Sequence, residues 1–376
     1  MSTDTPEDRH EGASSQRVPV RDDLADITPY GAPQLDVPVR LNTNETPDPP
    51  PAAYLDAVAA ALHTTELNRY PDRPATRLRT SLAEVHRLEP RQVWVANGSN
   101  EILVQLFQAY GGAGRRILLV RPGYSAHPLL ARVAATEVVE HDLPDDFTLT
   151  PDQAVTAVER HRPDIICVAS PNNPTGVVVD HPTIRALHDS CDALVILDEA
   201  YIEFAGEEIS ARPLLDELPR LVLARTFSKA YRLAGLRLGY LLAHEWVIDD
   251  IRKVRLPYHV DSIKQIAGEI AVSMRGAMLT HIPEIATERD RVEKALQAMP
   301  GVERVWVSAA NFVLFRTAVE DLFDRLLDEG VLIRDFSTKP RLEGCLRVTI
   351  GTPKENDAFL TAMNNVLTTR DRKESR

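Results

Sequence analysis

Cysteine is scarce in this chain: Cys167, Cys191 and Cys345 are the only three in 376 residues. They lie far apart, outside any C-x-x-C spacing, and an odd number cannot close a disulfide set. That excludes a disulfide framework and fits a reducing compartment. Long apolar runs are missing too: none approaches the roughly 18 residues of a membrane span. The N-terminus, MSTDTPEDRHEGASSQR, is polar and acidic, unlike a secretory signal. A cytoplasmic protein without membrane contact is expected. Basic residues are in deficit, 43 Lys and Arg against 55 Asp and Glu, for a net charge of −12. A nucleic-acid surface needs clustered Lys and Arg, so a small-molecule partner is expected instead. There is no H-E-x-x-H or P-loop pattern, and no metal or nucleotide is expected. The glycine cluster YGGAGRR precedes a strand-like run rather than following one, which disfavours a nicotinamide enzyme.

What is present has the composition of an ordinary enzyme, 44% hydrophobic and 26% charged. The length allows roughly two to three domains. From Trp94 to about Tyr240, apolar runs alternate with amphipathic segments: VWVA, RILLV, DIICVAS, ALVILD, RLVLART and LRLGYLLA. Near-continuous apolar runs flanked by helical patterns predict an α/β domain with a mostly parallel sheet covered on both faces. The last third combines a long helical pattern, about Asp261 to Met299, with the runs RVWV, NFVLFR, VLIRD and CLRVTIG and the helix-like VEDLFDRLLDEG. That predicts a smaller α+β domain. The expected boundaries are a poorly ordered tail at 1–22, an N-terminal arm with part of the small domain at 23–62, the large domain at 63–270, the rest of the small domain at 271–368 and a second tail at 369–376.

Ligands of open parallel sheets bind beyond the carboxyl ends of the strands. After VWVA, the residues Gly98, Ser99 and Asn100 open a helical segment, where free N–H groups suit an anion; taken alone, they read first as a plain cap. After DIICVAS, the turn PNNPTG holds Asn173 between two X-Pro steps, again readable as an ordinary turn. Asp198 ends an apolar run and needs a cation or hydrogen-bond partner. Beyond RLVLA come Thr226, Ser228 and Lys229, with Arg237 following. Together these ends match a flat heteroaromatic bearing a phosphate, an aldehyde and a protonatable ring nitrogen. Pyridoxal 5'-phosphate (PLP) is such a ligand, requiring a lysine for a Schiff base and an acid for its pyridinium. Its phosphate would go to Gly98, Ser99, Thr226, Ser228 and Arg237.

The ordered set NGSNE, PNNPTG, DEAY and TFSKAYRLAGLRLGY resembles the fold-type-I PLP-dependent aminotransferases. With LNTNETP, NRYPD, VRLPYH, NFVLF and CLRVTIG it resembles, within them, the histidinol-phosphate aminotransferase family, over roughly Asp26 to Leu367. The resemblance implies an aspartate-aminotransferase-like fold and a homodimer with shared active sites. It also implies transfer of an amino group from histidinol phosphate to a 2-oxo acid, 2-oxoglutarate. Lys229 would hold the cofactor and move the proton, and Asp198 would pair with the ring nitrogen. Asn173 and Tyr201 would bond the phenolic oxygen, Tyr124 would stack on the ring, and Tyr70 would reach the partner's cofactor phosphate. Arg347 and Arg334 would grip the substrate's acidic group, with Tyr30, Asn44 and Tyr258 closing the pocket. His127, where many relatives have tyrosine, would support Asp198. Thr46 and Lys264 depart from the family pattern, away from the cofactor chemistry as assigned. Three other readings remain open: a transaminase for aromatic or unusual amino acids, a phospho-amino-acid decarboxylase of the same fold, and a binding protein that performs no chemistry.

Overall fold

The computed structural model describes residues 18–29 and 31–374, so most of the expected N-terminal tail, and Tyr30, lie outside the described residues. The first strand, β1 (Val39–Arg40), belongs to the N-terminal arm. The apolar runs then form β2 (Val93–Ala96), β3 (Arg116–Arg121), β5 (Ile165–Ala169), β6 (Leu194–Asp198), β7 (Leu221–Thr226) and β8 (Gly239–Ala243), with β4 (Glu137–Asp142) between β3 and β5. They make one seven-stranded sheet in the order β2-β8-β7-β6-β5-β3-β4. Only β8 runs against its neighbours.

Alternation along the central strands divides the core in two. Ile166, Val168, Val195, Leu197, Leu221 and Leu223 pack into one layer. Ile165, Cys167, Leu194, Ile196, Val222 and Ala224 face the other, against Leu103, Leu106 and Phe107 of the helix Ser99–Tyr110 and Ile251 of the helix Glu245–Val254. A strand buried on both sides has no polar face, which is why β5, β6 and β7 read as unbroken apolar runs. The strand β4, EVVEHD, was absent from the sequence expectation. It is a charged edge strand, with Arg121 of β3 bonded to its Asp142 and, at 3.1 Å, to its Glu140. Edge strands carry such charges against stray pairing, and the charges hide the strand in a hydrophobicity pattern.

The C-terminal third holds β9 (Val302–Val305), β10 (Phe312–Thr317), β11 (Val331–Leu332), β12 (Arg334–Asp335) and β13 (Cys345–Thr349). Four of them form an antiparallel sheet, β12-β13-β10-β9, while β11 pairs in parallel with β1 of the arm. The helical stretch expected from Asp261 to Met299 is three helices, Ser262–Ser273, Arg275–Met278 and Ile282–Gln297. Met274 leaves helical geometry at φ −99°, ψ 18°, and Pro283 can only sit in the first turn of the third helix. The last helix, Pro353–Glu374, runs past the expected boundary at 368.

Candidate active site

The carboxyl ends of β2, β3, β5, β6 and β7 lie along one edge of the sheet, because these strands share a direction. At the end of β2, Gly98 takes φ +88°, and a Cβ there would stand 3.0 Å from Nη2 of Arg237. A Cβ on Gly239 would meet the backbone nitrogen of Ser99 at 2.6 Å. The two glycines thus let the start of the helix Ser99–Tyr110 press against β8 and the Arg237 guanidinium. Arg237 Nη1 donates to Ser228 Oγ at 3.1 Å, and the Ser228 N–H donates to Thr226 Oγ1 at 3.1 Å. A helix start, two hydroxyls and a guanidinium therefore converge, the composition of an anion cradle.

Across the cavity Asp198 closes β6. Its Oδ1 accepts from the Ala200 N–H at 3.1 Å, and Oδ2 lies 3.2 Å from Nε2 of His127, on the helix Ala126–Val133. Burial works against a charged imidazole, but the Cys167 sulfur and the Asp198 carboxylate outweigh it and lift His127 to about 10. The ring of Tyr124 meets His127 edge-on at 5.2 Å. The Tyr201 hydroxyl receives Nδ2 of Asn44 at 2.9 Å and Nδ2 of Asn173 at 3.4 Å.

Lys229 follows β7, and its Nζ donates to the carbonyl of Thr43 at 2.8 Å. Burial, then the Arg347 charge and to a smaller degree Arg237, pull the ammonium down to about 7, against the opposite pull of Glu45. Near neutral pH a free amine is therefore accessible, as a nucleophile requires. Arg347, buried on β13, donates to Asn173 Oδ1 and to the Asn42 carbonyl, the latter at 2.8 Å. Its guanidinium lies 5.1 Å from the Phe312 ring and 5.3 Å from that of Phe336. Arg334 faces it from β12 and donates to the Gly31 carbonyl at 3.2 Å.

A cavity of about 360 Å³ brings together Asn44, Ser99, Asn100, Tyr124, Asn173, Asp198, Tyr201, Thr226, Ser228, Lys229, Arg237, Arg334 and Arg347. Gly98 stands behind Arg237. Tyr70 and Tyr258 do not line this cavity; their rings stack at 4.4 Å on the outside, 80% and 40% exposed. The sequence reading missed Asn42, Thr43, Glu45, Ser125 and Phe336, which also line the cavity. Asn42, Thr43 and Glu45 sit inside the LNTNETP segment, so proximity to a named motif was the available signal; the part Asn42 and Thr43 play comes through backbone carbonyls, which no residue letter announces. Thr46, read as remote from the chemistry, donates its hydroxyl to the Lys229 carbonyl at 2.7 Å. Lys264 instead pairs with Asp261 at 2.6 Å. Among the described residues no His, Cys, Asp and Glu cluster suited to a metal ion is found.

Residues 37–363 match the aminotransferase class I and II family. A histidinol-phosphate aminotransferase of Frankia casuarinae is 46% identical, covering 93% of this chain and 91% of its own. One of Thermobifida fusca is 45% identical, with 94% and 97% covered. The crystal structure of the histidinol-phosphate aminotransferase of Sinorhizobium meliloti in complex with PLP superimposes with a TM-score of 0.81 at 25% identity, covering 89% of this chain and 92% of that one.

Proposed function

The chain belongs to the class I and II aminotransferases, and within them to the histidinol-phosphate aminotransferase family; from that premise we propose that it transfers the amino group of histidinol phosphate to 2-oxoglutarate, with PLP as cofactor. The carrying observation is that a lysine amine drawn down to about 7 shares one cavity with a buried carboxylate, an anion cradle and two arginines.

The residues fit the cofactor. Ser99, Thr226, Ser228 and Arg237 would take its phosphate, Tyr124 would cover the ring, and Asn173 and Tyr201 would bond its phenolic oxygen. Asp198 would hold a proton on the ring nitrogen, since an anion beside it favours the charged form. When bound, PLP supplies an aldehyde that captures the donor's amine and a ring that accepts the electrons left on Cα. Lys229, as a free amine, takes the Cα proton of the donor and delivers it back on the other side of the exchange. Arg334 and Arg347 receive a phosphate ester in one half-reaction and a carboxylate in the other, because a planar guanidinium forks equally onto both. Asn44 orients Tyr201 through the 2.9 Å bond.

We place the enzyme in the cytoplasm as a homodimer. The stacked Tyr70 and Tyr258, with exposed Leu67 and Leu256 in the same two segments, present apolar surface that a second copy would cover. Tyr70 would then reach the partner's cofactor phosphate, and Tyr258 its substrate. The test is a panel of donors, histidinol phosphate beside phenylalanine and tyrosine, each with 2-oxoglutarate. Highest kcat/KM with histidinol phosphate and stoichiometric glutamate is expected. Equal or better turnover of the aromatic amino acids, or release of carbon dioxide without glutamate, overturns the proposal.

A further inference from the structure

Arg334 and Arg347 are direct partners across β12 and β13, so strand alternation sends both side chains to one face of the small sheet. Like charges set opposite each other in this way repel. Phe336 stands two residues past Arg334, and its N–H donates to the Cys345 carbonyl at 3.0 Å, so the ladder carries on and the ring comes to the same face. The ring is buried and lines the cavity. The Arg347 guanidinium lies 5.3 Å from its centre and that of Arg334 5.9 Å, within reach of the attraction between a cation and a ring face. One ring thus serves two like charges. Resting on the substrate reading above, we propose that Phe336 is a positioning residue that favours the phosphate ester over the dicarboxylate: it holds the Arg334 guanidinium beside that of Arg347, so that both close on one phosphate.

The two arginines are held unequally. Arg347 is buried, bonds Asn173 and the Asn42 carbonyl, and has the Phe312 ring 5.1 Å away as well. Phe312 pairs with Thr349 and Phe336 with Cys345, so the two rings bracket Arg347 from opposite directions along β13. Arg334 is half-buried and donates to the Gly31 carbonyl at 3.2 Å. The Phe336 ring is therefore a larger share of what holds Arg334. The two ligands differ in step with this. A carboxylate offers two oxygens, which one guanidinium fork satisfies. A phosphate monoester offers three oxygens and about twice the charge, so a second guanidinium adds to its hold. Loss of the ring frees Arg334 and leaves Arg347 in place, which weakens the grip on the phosphate ester and spares that on 2-oxoglutarate.

The experiment uses the PLP-loaded enzyme and compares wild type with Phe336→Leu, an apolar filler without a ring face, and Phe336→Tyr, which keeps the face. Steady-state kinetics give KM for histidinol phosphate and for 2-oxoglutarate. Calorimetry gives dissociation constants for glycerol 3-phosphate and glutarate, which bear the same anions without an amine or keto group to react. Phe336→Leu should raise KM for histidinol phosphate and the dissociation constant of glycerol 3-phosphate roughly ten-fold. KM for 2-oxoglutarate, the glutarate constant and kcat should stay within about two-fold. Phe336→Tyr should match wild type within about two-fold. In an Arg334→Gln background Phe336→Leu should cost little more, because the ring acts through that arginine. Equal losses for both anions in Phe336→Leu overturn the idea, since a merely structural gap acts on both alike. Unchanged values do so too, as does Phe336→Tyr falling as far as Phe336→Leu. Wild type that turns over no histidinol phosphate would sink the proposed function, while the two dissociation constants would still decide the role of Phe336.

Discussion

Two cations on either side of Thr226, Arg225 buried and Lys229 half-buried, meet opposite fates. Arg225 points to one side of β7, where its Nε donates to Glu199 at 2.8 Å, its Nη2 to Ser210 at 2.6 Å and its Nη1 approaches Glu207 at 3.3 Å. Arg275 joins through Glu207 at 2.7 Å. Burial opposes the Arg225 charge, but Glu199, with Tyr240, Glu203 and Glu207, drives its pKa well above the ordinary value. Lys229, just beyond the strand, has a backbone carbonyl as its hydrogen-bond acceptor, and burial and the Arg347 charge draw it downward. A cation answered by the chain's own carboxylates is architecture. A cation crowded by other cations around a cavity is poised for a ligand that brings its own negative charge.

The most severe test of this contrast exchanges the expected losses. Lys229→Ala should lower turnover by about 1,000-fold or more and leave the fold intact. The sign follows from linkage: the amine falls from 10.5 to about 7 on folding, so between those values the unfolded chain binds more protons. In cofactor-free form the variant should therefore gain stability on wild type as the pH drops through that window. Arg225→Met should do the reverse, losing about 3–5 kcal/mol of stability because Glu199 is left buried without its counter-charge. Thermal melts beside activity assays decide it. Unfolding of Lys229→Ala together with a stable Arg225→Met would erase the distinction.

Arg347 separates the two regions more finely, since it is buried like Arg225 yet faces the cavity. Arg347→Lys should raise KM for both the phosphate ester and 2-oxoglutarate by roughly 10- to 100-fold, the loss of a charged forked hydrogen bond. Undiminished turnover of glutamate in Arg347→Ala would place the anion site elsewhere.

The smallest effect belongs to Glu203, whose carboxylate stands 4.0 Å from Arg225 at the edge of the closed cluster. Burial raises it to about 7, despite the Arg225 charge. Between its ordinary 4.5 and about 7 the native state holds a proton that the unfolded state has released, so its contribution to stability is lost as the pH rises through that window. Glu203→Gln should become more stable than wild type by roughly 1–3 kcal/mol above pH 7 and equal it below about pH 4. Parallel stability curves would show that the carboxylate stays ionised.

The ligand side of this contrast was legible in the letters. The apolar runs ending at Asp198 and Thr226 mark buried strands, and the residues following them had to face the ligand edge of a parallel sheet. Asp198 was readable because it is a charge ending a run that should carry none, and Lys229 because it follows such a run in the company of Thr226, Ser228 and Arg237. The bond from Thr46 to the Lys229 carbonyl was not, nor was the capture of Lys229 by the Thr43 carbonyl. Backbone acceptors belong to every residue alike.

The linear chain by itself determined the layers and the kinds of groups at their rim, because strand and helix periods and turn residues are local properties that each segment carries with it. Only the folded arrangement decided which group answers which: that Arg225 meets Glu199 while Lys229 meets other cations, and that a sulfur from β5 touches the ring beside Asp198. Those pairings join residues far apart along the backbone. Electrostatic and hydrogen-bond energies depend on separations of a few ångströms, which no spacing in the sequence encodes.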